Sequence, residues 1–165
     1  LAGSIHVGQH IGAGRMNAMR RTVLATYTLA LGFMSICALL FLLAGESLIG
    51  LYTSDPAIVA LGAQLLMVAA AFQVFDGAQV AGVSVLRGAA DTRVPMIVCA
   101  IGYWGIGVPV GLMLGFRTAL GPIGVWIGLS AGLGAVAIML GLRVRRMLWH
   151  GRVRQIVGAP PVAGG

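Results

Sequence analysis

The residue with the most chemical promise in this chain is an aspartate set deep in an apolar run. Asp76 stands in FQVFDGAQ, within a mostly hydrophobic stretch, 57–86, that also holds Gln64, Gln73 and Gln79. An acid at that depth in a bilayer is costly and seldom faces lipid. Desolvation disfavours its charged form, so it can exchange a proton, or hold a cation when deprotonated. The plainer alternative is an acid that only hydrogen-bonds a neighbouring helix. Gln73, Asp76 and Gln79 recur every three residues, which turns successive side chains by about 60° and lays them out as a polar strip about 120° wide on a helix. Such a strip belongs against a bundle interior or a water-filled cavity, and Asp76, Gln73 and Gln79 are the candidate cation- or substrate-binding residues. For the two glutamines alone, interhelical hydrogen bonding explains them equally well. Gln64 points to the opposite side of the same helix from Gln73. Gly77 would let the helix bend or another backbone approach.

Other polar clusters are weaker. Arg87, Asp91 and Arg93 in LRGAADTRVP fit either a cytoplasmic gate or a capped turn with orienting arginines, and the turn is the simpler reading. His6 and His10, four apart, share a helix face, but two histidines make a poor metal signal. Cys37 and Cys99 both fall inside apolar runs and read as small buried hydrophobes, not a disulfide or a metal pair. No Ser/His/Asp set, paired-Cys zinc spacing or phosphate loop occurs, and four acids in all leave no room for a paired-carboxylate centre. No enzyme, metal site or organic cofactor is expected.

These residues must be held by membrane-spanning helices. Of 165 residues 59% are hydrophobic and 9% charged, against roughly 25% charged in soluble domains; the mean hydropathy is +0.98. Four apolar runs, 23–43, 57–86, 94–116 and 121–142, are each long enough to cross a bilayer, which takes about 20 residues. The segment 1–14 is too short and too polar to span and lacks the basic start of a secretory signal; it is expected to be the end of a helix whose beginning is missing. Asp55-Pro56 opens the second span as cap and first helical residue. Asp91-Thr92 is expected to cap the third, and Gly121-Pro122 to open the fourth. Gly14, Gly45 and Gly88 are expected at span ends or turns.

The formal charge is +7, and every basic residue is Arg. The arginines lie in gaps between apolar runs instead of along one polar face, so membrane orientation explains them better than nucleic-acid binding. One side collects Arg15, Arg20, Arg21, Arg87, Arg93, Arg143, Arg145, Arg146, Arg152 and Arg154; the other has Arg117 with Glu46 and Asp55. The arginine-rich side is expected to be cytoplasmic. That makes 15–22 and 87–93 cytoplasmic loops, 44–56 and 117–120 external loops, and 143–165 a cytoplasmic tail, expected to be disordered, with Trp149 near the interface. Gly107, Gly111 and Gly115, and again Gly124, Gly128 and Gly132, recur every four residues and predict closely packed helices. Pro109 would cost a backbone hydrogen bond and is expected to kink its span.

Several pieces together resemble the MATE (multidrug and toxic compound extrusion) family of transporters, NorM type: SIHVGQHIGAG, LYTSDPAI, FQVFDGAQVAGVSVLRGAADTRVP, YWGIGVPVGLMLGF and GPIGVWIGL. The FDGxQ and RGxxDTRxP pieces carry most of the likeness. The resemblance implies an all-α polytopic bundle forming the C-terminal part of a twelve-helix transporter with two six-helix lobes. It implies export of small organic, often cationic, drugs in exchange for Na⁺ or H⁺, in a bacterial inner membrane. Asp76 matches the family's acid of the tenth helix, used in cation coupling and substrate binding; Gln73 and Gln79 match the same motif. The implied partners are lipid, the drug and the missing N-terminal lobe, without which transport is not expected. A lipid-linked oligosaccharide flippase of the same superfamily, or a structural subunit of a membrane complex, stands as the alternative.

Overall fold

The computed structural model describes residues 2–150, with side chains through Leu148. The chain runs through α1 (Ala2–Gly12), α2 (Met16–Gly50), α3 (Pro56–Gly88) and α4 (Arg93–Ala100). A π-helical stretch, Ile101–Gly107, then joins α4 directly to α5 (Val108–Arg117), and α6 (Pro122–His150) follows. Among the described residues there is no strand. Four helical segments, Met16–Gly50, Pro56–Gly88, Arg93–Arg117 and Pro122–Leu148, are long and apolar enough to cross a membrane. They contain the four apolar runs of the sequence.

Neighbours in the bundle follow the chain only in part. The helix α2 pairs with α3, α3 with α6, and α6 with the α4–π–α5 segment, while α1 lies across α2 and α3. Half of the most apolar window of α6 is buried and far less of the other spans, so α6 is the central helix. Outward residues such as Leu29, Phe33, Leu43, Met113 and Phe116 are exposed, an apolar surface that suits hydrocarbon. The buried core sits at one end: Val7, Met19, Val23, Val85, Leu86, Leu140, Val144 and Met147.

The helices run further than the apolar runs. Helix α2 starts seven residues before Val23, because Met19 and Val23, four apart, drop into the core while Arg20 and Arg21 stay exposed. It also continues past Leu43 to Gly50, across an irregular turn at Ala44 (φ −120°, ψ 15°). Gly45, expected at a span end, is buried inside this helix against Leu66 and Ala63 of α3. Residues 143–150, expected to begin a disordered tail, are helical as part of α6. Arginine is a good helix former, and Val144 and Met147, on the face of Leu140, are buried in the core. Residues 151–165, with Arg152 and Arg154, and the Trp149 side chain lie outside the described part.

The caps divide between expectation and surprise. Asp55 accepts the Ala57 N–H at 2.9 Å, with Pro56 at the first helical position. Gly14 and Gly121 take positive φ, 66° and 51°, at turns. Thr92, by contrast, makes no side-chain cap: its backbone lies in the αR region (φ −106°, ψ −27°) and not in the extended conformation of a capping residue. Helix α3 ends in a reversed pair of bonds, Asp91 N–H to Leu86 O at 2.9 Å and Ala90 N–H to Arg87 O at 3.0 Å, which satisfies its last carbonyls. The left-handed position is Ala90 (φ 59°), not a glycine. Gly88, the last residue of α3 as expected for a span end, also serves packing: a Cβ there would lie 2.9 Å from Val7 Cβ on α1.

The two glycine series meet face to face. A Cβ on Gly124 would stand 2.6 Å from the Leu114 backbone, and one on Gly132 would stand 2.6 Å from both Gly102 O and Gly107 Cα. A Cβ on Gly128 would fall within the Gly111 backbone. Pro109 lies at the start of α5. A proline ring collides with the carbonyl four residues back, and the wider π turn before it accommodates the ring. Val108 N–H reaches five residues back to Tyr103 O.

Candidate functional site

Asp76, Gln73 and Gln79 all lie on α3, well inside the helix and half-buried. The neighbours of Asp76 define which way it faces. Phe75 packs on Gly134 of α6, 3.6 Å from the position of a Cβ there. Gly77 admits α2: a Cβ would lie 2.9 Å from Met34 Cγ and 3.3 Å from Ala30 O. Close backbone approach is therefore the use this glycine has. Successive helical residues turn by about 100°, so Asp76 points between the sides taken by α6 and α2.

The strip splits into two kinds of residue. Gln79 is held at both ends of its amide: Tyr103 O–H donates to Oε1 at 2.9 Å, and Nε2 donates to Cys99 Sγ at 3.5 Å. Cys99 and Tyr103, four apart across the start of the π stretch, thus clasp α3. Asp76 and Gln73 have no hydrogen-bond or ion-pair partner among the described residues. The Asp76 carboxylate lies within electrostatic reach of the Tyr103 phenol. One glutamine is therefore an interhelical tie, while the acid beside it makes no such bond. Neither Tyr103 nor Cys99 stood out in the sequence as a site residue; a lone tyrosine in a glycine-rich span carries no periodic signal.

The arginines converge on the core end of the bundle. Arg20 on α2 donates to Leu148 O at the end of α6 at 2.9 Å. Arg143 Nε on α6 meets Asp91 Oδ2 at 2.6 Å, so the α3–α4 turn is pinned to α6. Of the candidate gate residues, Asp91 is tied in this way, whereas Arg87 and Arg93 are exposed. His6 and His10 stack with ring centroids 6.5 Å apart, and no cluster of three or more metal-ligating side chains occurs among the described residues. Cys37 and Cys99 are free thiols.

A bundle of apolar, membrane-length helices with an acid about two-thirds of the way along one of them is the architecture of an integral membrane protein. The MatE family model matches residues 1–113, and the chain belongs to the MatE family. It is 44% identical over 125 residues to a protein named multidrug resistance protein NorM in Burkholderia vietnamiensis, covering 73% of this chain and 27% of that one. It is 41% identical over 115 residues to multidrug resistance protein PmpM of Pseudomonas aeruginosa, covering 70% of this chain and 24% of PmpM. The chain thus spans about a quarter of the length of these relatives. The crystal structure of the eukaryotic MATE transporter AtDTX14 matches with a TM-score of 0.76 at 24% identity, over 94% of this chain and 35% of that one. The all-α transmembrane architecture is therefore a MATE architecture.

Proposed function

We propose that this chain supplies the Asp76 site of a cation-coupled multidrug antiporter. The observation that carries this reading is the half-buried Asp76 carboxylate on α3, without a hydrogen-bond or ion-pair partner among the described residues. A carboxylate that only held two helices together would be bonded to its neighbour. One that must alternately take and release Na⁺ or H⁺, or a small organic cation, has to be free for it. The names of the NorM and PmpM relatives supply the drug-export class. The arginine-lined end, where α1 meets α2, α3 meets α4 and α6 ends, is read as the cytoplasmic side of a bacterial inner membrane. Alternating access needs two bundles around a central site, so these helices work with a second lobe.

The test places residues 1–148 in the NorM of Burkholderia vietnamiensis in exchange for its matching segment and follows ethidium efflux from vesicles. Asp76→Asn is expected to abolish efflux driven by an imposed Na⁺ or H⁺ gradient. Efflux and cation dependence unchanged by Asp76→Asn would overturn the coupling role.

A further inference from the structure

Resting on that reading, we infer that Tyr103 is a positioning residue of the Asp76 site: by donating its hydroxyl to Gln79 it keeps the Gln79 amide off the Asp76 carboxylate. Gln79 is three residues beyond Asp76 on α3. At that spacing a glutamine amide and a carboxylate are surface neighbours that hydrogen-bond readily. Left to itself, Gln79 would donate to Asp76 and compete with any cation for its oxygens. Instead Oε1 is occupied by Tyr103 O–H at 2.9 Å and Nε2 is turned to Cys99 Sγ at 3.5 Å. The amide is thus anchored to the α4–π segment by both of its polar ends, and the acid is left unbonded.

Backbone geometry places the anchor. Tyr103 sits in the π-helical stretch Ile101–Gly107, which precedes Pro109 and is backed by the close glycine contact with α6. Its position is therefore set by a rigid backbone interface, while its hydroxyl reaches across to α3. The thiol is a weak acceptor, so the tyrosine bond is the stronger half of the clasp. Without it, the Asp76 carboxylate is the better acceptor within reach of the freed amide.

The experiment uses the full-length exchange protein, with Na⁺ and H⁺ titrated in parallel as the driving cation for ethidium efflux. Tyr103→Phe keeps the ring and removes the donor. It is expected to raise the cation concentration for half-maximal efflux about fivefold, the effect of one competing hydrogen bond, with the maximal rate little changed. Combining it with Gln79→Leu, which leaves no amide to compete, is expected to return that concentration to the level of Gln79→Leu alone. A merely structural tyrosine would not be rescued by deleting its partner. Tyr103→Phe without effect, or a double variant as impaired as Tyr103→Phe, overturns the positioning role. Asp76→Asn in the same assay separates the two readings: if it leaves cation dependence intact, coupling at Asp76 fails and the Tyr103 inference falls with it. If it abolishes coupling while Tyr103→Phe is silent, only the Tyr103 inference fails.

Discussion

Gly132→Ala is the most exacting probe of how this bundle is held together. The new methyl would stand 2.6 Å from Gly102 O, 2.6 Å from Gly107 Cα and 2.8 Å from Gly107 N. All three are backbone atoms, so no rotamer change can make room. Carbon contacts settle at about 3.5–4.0 Å, so the α6 and α4–π–α5 backbones must part by roughly 1 Å. A gap of that size forfeits about a quarter to a half of each van der Waals contact it opens, and over on the order of 50 atom pairs at 0.1–0.2 kcal/mol each this amounts to about 1–5 kcal/mol. Overpacking in well-packed cores costs about 1–3 kcal/mol, so about 2 kcal/mol is the expected loss. Gly32→Ala is the control, since a Cβ there has nothing within 4 Å and the change in helix propensity is the same. Unfolding of the purified protein in mixed micelles, followed by circular dichroism, measures both. Gly132→Ala no less stable than Gly32→Ala would refute backbone-to-backbone packing at this interface.

Two further changes should act in the opposite direction. Ala90→Gly removes a non-glycine residue from the left-handed conformation at the end of α3 (φ 59°) and should stabilise by about 1 kcal/mol in the same titration; a loss of stability would mean the αL turn is not populated. Tyr27 carries a buried hydroxyl with no partner among the described residues, so Tyr27→Phe should be neutral or stabilising by up to about 1 kcal/mol, and clear destabilisation would reveal a bond the structure does not show.

Much of this architecture is legible in the sequence because lipid imposes coarse rules. Apolar runs of spanning length, Asp55-Pro56 ahead of one of them, and two glycine series at spacing four each point to the helix or contact that the structure contains. Asp76 stands out for the same reason: an acid in an apolar run has few explanations. What the sequence conceals depends on partners far apart in the chain. Arg143 reads as an orienting charge, yet it pins Asp91 across 52 residues, and that bond takes the acid expected to cap α4. Gln79 reads as one third of a polar strip, yet Tyr103, 24 residues on, claims its carbonyl. Helix ends also escape the apolar pattern, because Met19 before the first run and Val144 and Met147 after the last are buried by their neighbours, not by lipid.

The π stretch has a consequence for how one helix can serve two neighbours. On a regular α-helix, residues five apart point about 140° away from each other. Gly102 and Gly107 are five apart, yet both close on the single residue Gly132. The wide turn is a shift of phase in the helix face. It brings Gly102 into line with the series at 107, 111 and 115, while Cys99 and Tyr103 are presented to α3. An unbroken α-helix of the same length through 101–107 would throw these two sets out of phase, so that either the glycines or the tyrosine could be seated, but not both.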